Sequence, residues 1–297
     1  MGAGGRRPDR PLLPARSGRR PDPGGAAVPR RGARGIKLHP RAQSFGFDTA
    51  VAGEIFAVAR DAGVPVLVHA GRGMPRMDAL ADLALRFPDV TLVLAHTALA
   101  DQGMFATRLA GHPRVLYDTA CLSPYDVMEL FARVPAERVV FASDVPYGRP
   151  TVGLYQTLRV AALAGLSMEE RALVTGGTMA AALDGRQLPA PQAPRLARIR
   201  PVDGTLARVA SYLMMGIAAG LIGGMNGDVT LALPRLALAR SVCRDPDPGP
   251  AGPALERIDG VLTAAEALLS APEPRRLEAL WLIAGAVALA ATEPVAG

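Results

Sequence analysis

Residues 90–96 read Val90-Thr91-Leu92-Val93-Leu94-Ala95-His96, entered after Pro88-Asp89 and left on a histidine. A short apolar run without polar alternation, bounded by turn residues, is the pattern of a strand buried on both faces. The pattern recurs on either side: Gly35-Ile36-Lys37-Leu38-His39, Val66-Leu67-Val68-His69, Val115-Leu116-Tyr117-Asp118 and Arg138-Val139-Val140-Phe141-Ala142-Ser143-Asp144. Between these runs the spacing predicts helices over 48–62, ended by Gly63 and Pro65, and over 76–86, 101–110 and 125–133, with further helices to about 184. Strand and helix alternate, which predicts parallel βα units with right-handed crossovers. There are five such units. A closed barrel of this kind needs eight strands and roughly 250 residues, so the alternatives are an open α/β sheet or a barrel short of its first three units.

The flanks differ in composition. Residues 1–34 hold nine Arg, seven Gly and six Pro, with no apolar run to bury. Ordering such a segment costs entropy that nothing offsets, so 1–34 is expected to be a disordered tail. It has neither the apolar core of a secretory signal nor the amphipathic pattern of a transit peptide. The tail carries more than the whole chain's formal net charge of +6, so the remainder is close to neutral. A solvated tail is a simpler reading than one gripping nucleic acid or an acidic membrane. Aromatics at 4% also argue against a stacking platform for single-stranded nucleic acid. Residues 187–204, rich in Pro and Arg, read as a linker, and 205–297, rich in Ala and Leu, as an all-helical region. Val209–Gly227 is uncharged and spaces Gly216, Gly220 and Gly224 as GxxxG, which a membrane span or a helix–helix interface would use. It lacks an aromatic belt, and the buried-helix reading is preferred. Two cysteines, Cys121 and Cys243, exclude a disulfide scaffold. No GxGxxG, Walker loop, GxSxG or CxxC occurs.

His39, His69, His96 and Asp144 each end a predicted strand. The carboxyl ends of parallel strands share one face, where sites are built, so these residues should converge. Imidazole nitrogen and carboxylate oxygen suit zinc-class divalent ions, which lower the pKa of a bound water. A second histidine can shuttle a proton or steady an oxyanion. His112, before Pro113 in a loop on the opposite face, reads as structural or solvated. Tyr117 and Asp118 also end a strand, and Arg72 and Arg149 flank strand-end loops. Cys121 reads as a packing residue rather than a nucleophile.

The strings GIKLHP (35–40), PVLVHAG (65–71), LVLAHTA (92–98) and FASDVPYG (141–148), in this order, resemble the amidohydrolase superfamily, closest to its amidohydrolase-related, aminocarboxymuconate-semialdehyde-decarboxylase-like branch. The resemblance implies a (β/α)₈ TIM barrel holding a divalent metal, often zinc. It implies hydrolysis or non-oxidative decarboxylation of a small substrate by a metal-activated water. By motif, His69 falls on a metal-ligand histidine and Asp144 on the aspartate that is both metal ligand and general base. His96 falls on the catalytic histidine that orients or protonates substrate and water. Lys37 and His39 fall on the GxKxHP string and are the substrate-binding candidates. Gly176–Leu183 approximates the closing segment without its Asn and Arg.

The family's first strand carries a His-x-His pair, and this chain has none. That leaves open a metal-free relative acting as a binding scaffold, a truncated reading frame, or a partner chain that completes the barrel. The resulting expectation is an α/β chain. Residues 35–186 form a partial TIM barrel of about five βα units, followed by the linker and an all-helical region. The chain is expected to be cytoplasmic, to act on a small-molecule substrate, and to bind neither nucleic acid nor membrane. Exposed edges of the partial barrel predict a homo-oligomer unless the helical region covers them.

Overall fold

In the computed structural model, residues 13–14, 32–70, 74, 76–194, 203–224 and 233–293 are described. Most of the 1–34 tail, Arg72, residues 195–202 of the expected linker and the end of the Val209–Gly227 stretch lie outside them. The strands are β1 Leu13–Pro14, β2 Ile36–Leu38, β3 Val66–His69, β4 Leu92–Ala95, β5 Val115–Asp118 and β6 Val139–Val140. They form one parallel sheet in sequential order. The helices are α1 Pro40–Gln43, α2 Ala50–Asp61, α3 Met77–Arg86, α4 Gln102–Arg108, α5 Pro124–Arg133, α6 Pro150–Leu163, α7 Met168–Ala172 and α8 Thr178–Leu183. Then follow α9 Gly204–Gly224, α10 Leu233–Cys243, α11 Gly252–Leu269 and α12 Arg276–Thr292. The five expected βα units are present, and the fold is a partial α/β barrel with a helical C-terminal region. Within the segment expected to be a disordered tail, Leu13 and Pro14 pair with Ile36 and Lys37, and most of the rest lies outside the described residues.

The chain divides into two compact units, one of Met1–Ala120, Arg133–Ala142 and Met168–Pro194, the other of Cys121–Ala132, Ser143–Ser167 and Arg195–Gly297. In the first unit, pairing aligns Lys37 with Leu67, Leu67 with Val93 and Val93 with Leu116. Side chains alternate along each strand. Lys37, Leu67, His69, Val93, Ala95, Leu116, Asp118 and Val140 therefore share the inner face. Leu38, Val66, Val68, Leu92, Leu94, Val115, Tyr117 and Val139 form the opposite row, buried throughout as crossover helices on that face require. In a closed barrel, side chains from all eight strands fill the interior. Here Met179, Ala181 and Ala182 of α8 and then Leu188 pack with Leu67, Val93, Leu116 and Val140. The edge beyond β6 is also engaged: Phe141 N donates to Val174 O at 2.8 Å. At the end of α2, Gly63 (φ +62°) takes the left-handed step after which Val64 N reaches back to Ala59 O, the Schellman closure.

The second unit is built on helical periodicity. Leu206, Val209, Ala210 and Leu213 of α9 join Leu255, Ile258, Leu262 and Ala265 of α11 and Ile283, Ala286, Val287 and Ala290 of α12 in one apolar cluster. The uncharged stretch therefore enters this apolar cluster at its start, and among the described residues no helix is long and apolar enough to cross a membrane. Asp203 Oδ1 caps α9 by accepting from Thr205 and Leu206 N–H. Arg240, 8% exposed, ties α10 to α11 through Asp259 (2.9 Å), Thr263 (2.7 Å) and Glu266. The sequence boundary put α5 and α6 with the sheet, yet they group with the helical region. Tyr125 of α5 packs on the helical core, and Arg159 of α6 donates to Thr292 Oγ1 (2.6 Å) and Glu293 (2.7 Å).

Candidate functional site

Three of the strand-end histidines meet in the first unit. The His39 and His69 rings stack with centroids 3.9 Å apart at 8°. The His69 and His96 rings meet edge to face at 4.7 Å, with His69 Nδ1 and His96 Nε2 3.2 Å apart. His96 Nδ1 lies 3.0 Å from the Ala120 carbonyl, which can only accept. A neutral His96 therefore carries its proton on Nδ1, and its Nε2 accepts. His69 must then donate from Nδ1, so the basic nitrogen of His69 is Nε2. One main-chain carbonyl assigns the tautomers of both rings.

The local backbone that allows this is costly. His96, Thr97 and Ala98 have φ of +60°, +56° and +57°, where a side chain costs about 1–2 kcal/mol per residue. Asp118 opposes that cost. Its Oδ1 accepts from His96 N at 2.7 Å and from Ala120 N at 3.0 Å, while the Thr97 hydroxyl donates to the Asp118 carbonyl. The same carboxylate thus holds both the peptide of His96 and the peptide whose carbonyl orients its ring. Burial pushes the Asp118 carboxyl up. The two N–H donors, and after them the Lys37 charge, oppose that rise.

Lys37 sits in register with Leu67 on the inner face, close enough to be felt by both His39 and Asp118. His39 is more engaged than a free substrate contact would be. Its Nδ1 accepts from Ala42 N at 3.3 Å as the cap of α1, and its own N–H donates to Gln43 Oε1 at 2.6 Å. Burial and then the Lys37 charge hold its pKa below the ordinary value. Tyr117 falls on the opposite face from Asp118, where burial pushes its phenol up. His112 is structural: Nε2 donates to Ala84 O at 3.1 Å and Nδ1 accepts from Arg114 N at 3.1 Å.

Asp144 belongs to the second unit. Its φ is +56°, and its carbonyl accepts from Tyr147 N and Gly148 N at 2.8 and 3.1 Å, closing a tight turn. Gly148 is required there, since a Cβ would come within 1.9 Å of Ser143 O. In the same unit, the exposed thiol of Cys121, itself at φ +54°, donates to Asp144 Oδ2 at 3.6 Å. Arg149 precedes α6 at its N-cap without a side-chain capping bond. Sequence reasoning set Cys121 aside as packing, yet it is exposed beside a carboxylate. It also ranked Asp118 only among several strand-end residues and gave Ala120 no role.

The donors fit a zinc-class ion in kind. A metal-bound imidazole characteristically donates its other ring N–H to an acceptor, which fixes its tautomer. The His69 Nδ1 contact with His96 Nε2 at 3.2 Å has that form. Carboxylate and thiol oxygen and sulfur are likewise ligand atoms for such ions.

No curated protein matches this chain. An uncharacterized TIM-barrel protein of Bordetella bronchiseptica is similar over 52% of this chain, with 18% identity and a TM-score of 0.44, and the chain spans 58% of that protein's length. The amidohydrolase family model matches residues 25–185, a span that contains β2 through β6 and all three stacked and bonded histidines. With more than half of its length so matched, the chain belongs to the amidohydrolase family.

Proposed function

We propose that the chain is a metal-dependent hydrolase, or a non-oxidative decarboxylase of the same family, acting on a small substrate. The observation that carries this is the meeting of the His39, His69 and His96 rings at the strand ends, within the span that the amidohydrolase family model matches. His69 would hold a divalent ion of the zinc class, and the sequence resemblance gives Asp144 the roles of second ligand and base. The ion, when bound, supplies a water acidic enough to be hydroxide near neutral pH.

Within the chain, His96 accepts the Nδ1–H of His69 at Nε2 and so raises the electron density of that ring. Asp118 keeps His96 in place through its main chain rather than its ring. Asp144 would take the water's proton on a carboxylate oxygen, with the Cys121 thiol donating to its other edge. Lys37 would meet an anionic substrate group, a carboxylate being a natural match for an ammonium.

Elemental analysis of the purified chain tests the reading. About one divalent ion per chain is expected, lost in His69→Ala and in Asp144→Ala. Retention in Asp144→Ala would remove that residue from the ligand set. No ion after loading with zinc, manganese or iron would overturn metal dependence and favour the metal-free scaffold that the missing His-x-His pair suggests.

A further inference from the structure

The inner face of the first unit bears a half-open cavity of about 140 Å³ to which the proposed chemistry gives no ligand. Leu67, Val93, Val140 and Met179 line it, and among the described residues Asp118 is its one ionisable wall residue. Neither His69 nor His96 borders it. Asp118 is 4% exposed. Its Oδ1 is taken by the N–H groups of His96 and Ala120, and among the described residues Oδ2 has no hydrogen-bond partner. No sealed side-chain polar atom in the described residues lacks a partner, so Oδ2 is not sealed off, and Asp118 is among the residues that line this cavity. An apolar void of roughly 150 Å³ accommodates a benzene-sized molecule. Apolar walls with one convergent polar group are the make-up of a small-molecule site.

We propose that this cavity is a ligand site for a compact apolar molecule of about six heavy atoms carrying one O–H or N–H donor, which Asp118 Oδ2 accepts. A buried carboxylate oxygen rejects a ligand that offers only an acceptor, because two lone pairs would then be desolvated against each other. The site is independent of the metal reading, and His69→Ala should leave it intact.

Three probes of equal heavy-atom count separate shape from chemistry: cyclopentanol, cyclopentanone and methylcyclopentane. Methyl-resolved NMR titration of the full chain should show cyclopentanol shifting the methyls of Leu67, Val93, Val140 and Met179. It should bind about tenfold more tightly than either analogue, about the worth of one buried hydrogen bond. Asp118→Asn keeps an oxygen for the two N–H groups and turns the other oxygen into a donor, so preference should move from the alcohol to the ketone. Ala142→Leu fills the cavity while leaving the carboxylate in place, and should abolish binding of all three even if the Asp118 variant folds poorly. Equal affinity for alcohol and hydrocarbon, shifts at other methyls, or undiminished binding in Ala142→Leu would each overturn the proposal.

Discussion

Replacing His112 by alanine should cost stability in a way that depends on pH with a definite sign. The ring is 9% exposed and joins α3 to the loop before β5. Ala84 O keeps a second donor, Phe87 N at 3.1 Å, so the acceptor survives the loss. Arg114 N loses its acceptor, and an orphaned donor costs about 1–3 kcal/mol. Adding the lost ring packing, the deficit near pH 8 should be about 2–4 kcal/mol. Burial holds the folded His112 pKa below 6.5. As pH falls through 6.5 the unfolded chain binds a proton that the folded chain refuses, so the wild type loses stability by at most about 1.4 kcal/mol per pH unit. The alanine variant has no such group, and the matching contribution of His39 is common to both proteins and cancels. The difference between them should therefore shrink between pH 8 and pH 5.5, by no more than about 1.4 kcal/mol per pH unit. Urea unfolding followed by circular dichroism measures it. Trp281 fluorescence reports only α12 of the second unit, and that transition should not move. A deficit that is constant or larger in acid would refute the assigned neutral, doubly bonded ring.

Arg240→Leu should destabilise the helical unit, read by Trp281 fluorescence in urea, by about 2–4 kcal/mol, because it strips a buried guanidinium from Asp259 and Glu266. Burial alone would raise Asp259, but the hydrogen bonds from Arg240 and Arg244 outweigh it and hold the carboxyl low. The stability so gained is present above pH 4 or so and lost as pH falls through the folded pKa, so the variant should show a flatter acid limb. Leu116→Ala, at a fully buried inner-face position, should cost about 3–5 kcal/mol in the other transition. Iodoacetamide should label native protein at the exposed Cys121 and spare Cys243, whose thiol burial and the Asp259 charge push up to about 11; mass spectrometry of the two peptides decides it.

The sheet was legible in the sequence because β4 and β5 are buried on both faces, and unbroken runs such as Leu92–Ala95 have no other common explanation. The meeting of His39, His69 and His96 followed from the rule that parallel strands share a carboxyl face. What could not be read is set by backbone. Nothing in His96-Thr97-Ala98 announces three left-handed residues, since none is the glycine that marks such a step. Asp118 and Tyr117 look equivalent until the register puts them on opposite faces. The pairing of Leu13–Pro14 with β2 spans too few residues to leave a period. The grouping of α5 and α6 with the helical unit depends on distant partners, Thr292 and Glu293 for Arg159, that no local pattern encodes.

The protonation pattern of His69 and His96 is written by a peptide oxygen, not by a side chain. Residue 120 can therefore drift among small amino acids without altering the electronic state of either ring. Ala120→Ser should be silent in imidazole ¹⁵N spectra, where a change of identity at position 118 is not. Selection at this strand end acts on the path of the chain, and an alignment column at position 120 would understate the residue's part in the chemistry.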